Sequence, residues 1–308
     1  MEKRAIIKPP GLRRGDLIGI ISPAGPVSKT DLEAGIKMIK SSGFDVLIGP
    51  NTFNRRDYLA GKDEERLSDF HAMFSDQGVK AVFCARGGYG SLRLLDKIDF
   101  DLIKKNGKIF VGYSDITALL MAIYSETGLI TFHGPVVRGL SSDKRINLDS
   151  LFRLLTPGQG LEINLAEGIV LRPGKAKGPL IGGNLSIICH LLGTSYLPSL
   201  DGCILFIEDT AEPLYRIDRL LTHLRLSGHL NRLSGLVAGR FDGCGEMSAI
   251  ERLISGVVGD QDIAIATGLP VGHGPENLAL PIGLMAEVDT DRMTLSIVEE
   301  SVTSQGPV

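Results

Sequence analysis

The stretch Lys108-Ile109-Phe110-Val111-Gly112-Tyr113-Ser114-Asp115-Ile116-Thr117-Ala118-Leu119 decides the fold. Its apolar run from Ile109 to Val111 is short and rich in β-branched and aromatic side chains, which suits a buried strand. From Ile116 to Tyr124 the apolar residues instead take helical spacing, and the Ser-Asp pair between the two is N-cap sequence. A strand that passes through a tight turn into a helix is half of a βαβ unit. Working backwards, Val79–Cys84 is a strand that runs into Arg86-Gly87-Gly88-Tyr89-Gly90. Glu64–Phe74 is an amphipathic helix with Leu67, Phe70 and Phe74 on one face, and Phe44–Ile48 is a strand. Asp31–Ser42 is helical again, and Asp16–Ile21 is the first strand. That strand ends at Ser22-Pro23-Ala24-Gly25-Pro26, which neither a helix nor a strand can cross. The alternation predicts a parallel-sheet βαβ domain over residues 1–155, with functional residues at the carboxyl ends of its strands.

A chain of 308 residues has room for a second domain. Residues 156–178, punctuated by Thr156-Pro157-Gly158-Gln159-Gly160 and Arg172-Pro173-Gly174, read as a linker. Residues 179–308 read as a mixed α/β domain. It carries strands at Cys203–Ile207, Leu236–Gly239 and Ile263–Gly268, a helix from Tyr215 to Ser227, and a closing hairpin that turns at Thr290-Asp291. The last six residues read as a frayed end. The expected fold class is therefore α/β, two domains, with the active site between them.

Composition excludes several functions. With 43% hydrophobic and 22% charged residues the balance is that of a soluble globular protein. A net charge of −3 without a long basic run argues against a nucleic-acid partner. No apolar stretch is long enough for a transmembrane helix, and Ala5-Ile6-Ile7 is too short for a signal-peptide core. The four cysteines include no C-x-x-C, and Cys84, Cys189 and Cys203 lie in apolar runs where thiols act as small core residues. Free thiols of that kind fit a reducing cytoplasm.

The residues that carry chemistry gather at strand ends. A serine on a strand-to-helix turn holds its hydroxyl clear of the sheet, near the amides of a helix start. Ser114 has that placement, although Ile116 stands where G-x-S-x-G has its second glycine. As Ser-Asp before a helix, it reads from its local sequence first as an N-cap and second as a nucleophile. The glycines around Gly88 suit an oxyanion hole, a phosphate cradle or simply a tight turn. A serine nucleophile needs a base, and histidine is the usual one. His273, between Gly272 and Gly274, is the better placed of the six; His133, in an expected loop, is second. His71 and His223 lie on helices, His229 follows a helix-ending glycine, and His190 reads as a core residue. Glu208 and Asp209 end an apolar strand, where a carboxylate needs a partner; Asp209 reads as the cap of the following helix. Neither H-E-x-x-H nor a dinucleotide or Walker motif is present, so no metal and no cofactor is expected.

Several of these segments, in order, resemble the LD-carboxypeptidases, serine peptidases that also include the microcin C immunity peptidases. The shared motifs are Ser22-Pro23-Ala24-Gly25-Pro26, Arg86-Gly87-Gly88-Tyr89-Gly90, Gly112-Tyr113-Ser114-Asp115, Gly182-Gly183-Asn184-Leu185, Ile207-Glu208-Asp209, Tyr215-Arg216-Ile217-Asp218-Arg219 and Gly268-Leu269-Pro270-Val271-Gly272-His273-Gly274. The resemblance implies a triad of Ser114, Glu208 and His273, with the backbone N–H groups of Gly88 and Asp115 as the oxyanion hole. It implies a murein tetrapeptide substrate that loses its terminal D-alanine in the cytoplasm during peptidoglycan recycling, and a homodimer. Chain length and the short connection after Ile181 look more like recycling members than immunity peptidases, which cleave a peptide–nucleotide amide. Arg86 is a candidate for holding the substrate's terminal carboxylate. The competing reading from another class is a non-catalytic small-ligand binder in which Ser114 only caps a helix.

Overall fold

The computed structural model describes residues 5–141, 145–158, 160–259 and 261–304. The chain divides into two compact units, one of Met1–Gln159, Leu278–Pro281 and Glu300–Val308, the other of Gly160–Asn277 and Ile282–Glu299.

The first unit contains β1 (Leu17–Ile21), α1 (Lys29–Ser41), β2 (Asp45–Ile48), α2 (Asp63–Ser75), β3 (Val79–Cys84), α3 (Phe100–Lys105), β4 (Ile109–Gly112), α4 (Thr117–Thr127), β5 (Thr131–His133) and α5 (Arg145–Leu155). Its sheet has the order β12-β5-β4-β3-β1-β2, where β12 is Leu280–Ile282, and β1 to β5 pair in parallel. Helix α2 brings Phe70 and Phe74 onto Phe110 of β4, with ring centroids 5.5 and 6.0 Å away. Helix α5 brings Phe152 to within 4.6 Å of Phe44 and 6.4 Å of Phe83. Each fully buried aromatic of this kind contributes about 1.5–3 kcal/mol relative to exposure. Helix α1 starts with a capping box, in which Ser28 Oγ accepts from the Asp31 amide and Asp31 Oδ2 accepts from the Ser28 amide.

The second unit contains β6 (Leu161–Asn164), β7 (Val170–Arg172), β8 (Lys175–Asn184), α6 (Leu185–His190), β9 (Ile204–Thr210), α7 (Leu214–Leu226), β10 (Gly235–Asp242), α8 (Met247–Val258), β11 (Ala264–Ala266), β13 (Met285–Asp289) and β14 (Thr294–Ile297). Its sheet runs β6-β14-β13-β8-β9-β10-β11-β7. The four strands β8 to β11 are parallel, and antiparallel pairs flank them on both sides. Strand β9 lies inside the parallel block, and its residues from Ile204 to Asp209 are all buried. The apolar run Ile204–Ile207 is what a central parallel strand covered on both faces requires, and Glu208 and Asp209 are buried charged residues at its end.

Two boundaries differ from the sequence expectation. The expected linker 156–178 contains β6, β7 and the first part of β8, whose ladder partners are β14, β11 and β13. The C-terminal segment also does not stay with the second unit. The Thr303 amide donates to Pro9 O at 2.9 Å and the Gly11 amide donates to Thr303 O at 2.9 Å, so its backbone is satisfied by the first unit. Of the six residues expected to fray, Thr303 and Ser304 are hydrogen-bonded, and 305–308 lie outside the described residues.

Candidate active site

Ser114 has φ +63 and is one of four described residues other than glycine with positive φ. A β-carbon resists that conformation, at a cost of about 1–3 kcal/mol. The turn is forced by what surrounds it. Strand β4 ends at Gly112, where a β-carbon would sit 2.5 Å from Ile116 Cγ2, so the chain folds back on itself immediately. A 3-10 turn over Ser114–Ile116 then leads into α4. An N-cap residue sits in the β region, and neither this turn nor α4 has a side-chain cap hydrogen bond at its N-cap position. Tyr113 and Ile116, rather than Ser114, stand at those two N-cap positions.

The glycine-rich loop after β3 lies against this serine. A β-carbon on Gly87 would be 2.9 Å from Ser114 Cβ and 3.1 Å from its Oγ, so only glycine lets the loop come this close. The Gly87 carbonyl accepts from the Gly25 amide at 3.0 Å. In a trans peptide the carbonyl and the next N–H point in opposite directions, so this bond turns the Gly88 N–H away from Gly25. Gly88 itself has φ +114 and is exposed. Asp115 is buried, and its Oδ2 accepts from the Ser91 amide at 2.8 Å. Burial raises its pKa, and the Ser91 bonds oppose that rise. Arg86 is half-buried and donates to Pro26 O at 3.0 Å, with burial and Arg138 lowering its pKa while Asp31 opposes them.

The second unit brings the other two expected residues together. Glu208 is fully buried near the end of β9, and its Oε2 lies 2.9 Å from His273 Nδ1. His273 stands on the loop after β11, with Gly272 at φ +133 and only 3.3 Å between a β-carbon there and Glu208 Oε2. Burial alone would lower the His273 pKa; the Glu208 hydrogen bond and charge, with Asp209 and Asp242, raise it above the ordinary value. Burial raises the Glu208 pKa, and the His273 bond opposes it. A buried carboxylate on Nδ1 fixes the imidazole tautomer and leaves Nε2 as the basic nitrogen.

Other sequence readings need correction. His133 is the last residue of β5, not a loop residue; it is fully buried, paired in register with Gly112, and its ring centroid lies 5.9 Å from that of Tyr113. His190 is exposed rather than in the core. Asp209 does not cap α7. It accepts from Asn184 Nδ2 at 3.0 Å, the Ser186 amide at 2.9 Å and Ser186 Oγ at 2.7 Å, and so anchors the start of α6. Asn277 was missed: it is buried, and its Oδ1 accepts from the Gly272 amide at 3.1 Å, steadying the histidine loop. Arg66, which the sequence did not single out, is buried on α2 and pairs with Asp63 Oδ1 at 2.6 Å. The four cysteines are free and buried, and burial pushes the thiols of Cys189 and Cys203 up to about 12. Among the described residues no group of His, Cys, Asp and Glu is arranged to hold a metal, and no helix is long and apolar enough to cross a membrane.

Residues 18–134 match the LD-carboxypeptidase N-terminal domain, and residues 177–288 match the LD-carboxypeptidase C-terminal domain. The chain belongs to the LD-carboxypeptidase family. The "Probable murein peptide carboxypeptidase" of Bacillus subtilis is 39% identical over 96% of this chain and 95% of its own length. The Escherichia coli microcin C7 self-immunity protein MccF is 30% identical over 94% of this chain and 95% of its own. A solved structure of MccF in complex with glutamyl sulfamoyl guanosine superimposes with a TM-score of 0.90 at 26% identity, covering 96% of this chain and 99% of that one. The crystal structure of muramoyltetrapeptide carboxypeptidase from Oxalobacter formigenes gives a TM-score of 0.81 at 32% identity, covering 93% and 100%. The two-domain α/β fold is shared with these LD-carboxypeptidases, and the protein is a serine-type carboxypeptidase.

Proposed function

We propose that this LD-carboxypeptidase removes the terminal D-alanine from murein tetrapeptides in the cytoplasm, as a step of peptidoglycan recycling, using Ser114, His273 and Glu208. The observation that carries the proposal is the strained φ of +63 at Ser114, a serine held on a strand-to-helix turn against a glycine loop. The 2.9 Å contact between His273 and Glu208 supports it independently. In this mechanism Nε2 of His273 takes the Ser114 proton as Oγ attacks the scissile carbonyl. The N–H groups of Gly88 and Asp115 receive the oxyanion, where a single such donor is worth about 10²–10³ in rate. Collapse of the tetrahedral intermediate breaks the C–N bond, and the imidazolium gives its proton to the departing D-alanine amine. Water then repeats the cycle on the acyl-enzyme. Glu208 keeps the ring oriented and stabilises the imidazolium throughout. Arg86 is proposed to meet the free carboxylate that defines a carboxypeptidase substrate. A homodimer belongs to the same proposal.

The close superposition with MccF favours a second reading, a microcin-type carboxypeptidase that cleaves a peptide–nucleotide amide. A substrate panel separates the two. Release of D-alanine from L-Ala-γ-D-Glu-meso-diaminopimelate-D-Ala by the wild type and not by Ser114→Ala supports the first. Full activity in Ser114→Ala would contradict the mechanism, and turnover of a peptidyl-nucleotide amide alone would select the second reading.

A further inference from the structure

Helix α2 buries an arginine. The Arg66 side chain is fully shielded, and its Nη2 meets Asp63 Oδ1 at 2.6 Å. Its Nη1 donates to two main-chain carbonyls at once, Pro23 O in the loop after β1 and Gly90 O, 3.0 Å away, at the end of the glycine-rich loop. Gly88 lies on the second of these loops, against the first. On one side, a β-carbon on Gly88 would be 3.0 Å from Gly25 Cα, and the Gly25 amide fixes the Gly87 carbonyl. On the other, the Asp115 carboxylate accepts the Ser91 amide next to Gly90.

We propose that Arg66 is a positioning residue of the oxyanion hole: its guanidinium ties the Pro23–Gly25 loop to Gly90, and so aims the Gly88 N–H. The proposal rests on the serine-nucleophile reading above. Its chain of contacts is short. Arg66 holds Pro23, the neighbouring Gly25 amide holds the Gly87 carbonyl, and the planar peptide turns the Gly88 N–H the opposite way. Without Arg66, the Pro23 and Gly90 carbonyls lose their shared donor, and the Gly25–Gly87 and Arg86–Pro26 hydrogen bonds are left to join the two loops. Arginine suits the task because its planar fork reaches Asp63 and both carbonyls together, which a lysine ammonium on a flexible stem does not.

The role can be separated from stability. Removing one member of a buried ion pair is ordinarily destabilising, because it strands the partner's charge. Here Asp63 is not orphaned by the exchange, because Arg93 still pairs with it at 2.8 Å. The experiment compares wild type, Arg66→Met and Arg66→Lys for the rate at which a fluorophosphonate labels Ser114. That reaction forms an Oγ–P bond, breaks P–F and releases fluoride and the serine proton; it needs the oxyanion hole but not the natural substrate. Tetrapeptide affinity is measured in parallel by calorimetry in a Ser114→Ala background with and without Arg66→Met. The expected result is labelling slower by about 10–10²-fold in Arg66→Met, with tetrapeptide affinity changed less than about twofold. Arg66→Lys is expected to fall between, and it carries the test if Arg66→Met does not fold. Equal labelling rates in folded variants would overturn the positioning role. Absence of labelling in the wild type would overturn the serine-nucleophile reading first, and the role of Arg66 with it.

Discussion

The two units hold their proposed reactive groups by different means. In the first, the backbone does the work: Ser114 is held at φ +63, Gly87 allows contact with it, and Gly88 sits at φ +114. In the second, electrostatics does it: a fully buried carboxylate, Glu208, holds His273 by one hydrogen bond of 2.9 Å. A nucleophile must be in one place, so geometry is enough. A base must also carry its proton at the right pH, so it needs a charge beside it. The division teaches which substitutions each half should resist.

The largest effect is expected from the electrostatic half. Glu208→Gln keeps the shape but removes the charge that raises the His273 pKa, leaving the burial that lowers it. In the proposed mechanism His273 acts as base only when neutral, so wild-type kcat/KM is expected to fall as pH drops through its raised pKa. In the variant that acid limb shifts to lower pH, and the plateau drops by roughly 10²–10⁴ through loss of the tautomer and of imidazolium stabilisation. A pH–rate profile checks both. An unmoved acid limb would mean that another group is the base.

Next comes the backbone half. Gly87→Ala places a methyl group 2.9 Å from Ser114 Cβ, and the Tyr113 carbonyl at 3.3 Å blocks retreat. We expect kcat to fall about 10–10²-fold by displacement of the nucleophile, with no shift in the pH profile. A pH shift here would blur the division between the halves.

Gly112→Ala is a structural counterpart. Its methyl group would meet Ile116 Cγ2 at 2.5 Å, and overpacking of that kind costs about 1–3 kcal/mol, measurable by urea unfolding.

The smallest effect belongs to Asp63, whose carboxyl is held at about 2 by the Arg93 hydrogen bond, with Arg66 adding to it. A lowered carboxyl stabilises the fold above its unfolded pKa and loses that contribution as pH falls toward 2. Asp63→Asn should therefore cost about 1 kcal/mol or less at pH 7, and the difference should close at the acid end of a stability–pH series.

The fold was legible where single segments declare themselves. Strands β1, β3 and β4 are apolar runs with turn signals after them, and α1 and α2 have clear helical spacing. It was not legible where a partner far along the chain makes the element. Strands β6 and β7 are short and interrupted by Gly and Pro, and they become strands through β14 and β11. Strand β5 is three residues long, so its His133 read as a loop residue. In the candidate site, the motifs named Ser114, Glu208 and His273, but Arg66 stayed hidden because the carbonyls it holds are 43 and 24 positions away. Asp209 misled for the same reason, since its partners at Asn184 and Ser186 precede it by 25 and 23 positions.

In the proposed mechanism Ser114 and His273 act as a single catalytic group. D-alanine release measured for wild type, Ser114→Ala, His273→Ala and the double variant tests it most directly. Residues that act as a unit are not additive, so each single variant should fall to the same residual rate and the double variant should be no slower. A His273→Ala enzyme that keeps most of its activity, or a double variant whose loss is the product of the two single losses, would contradict the account.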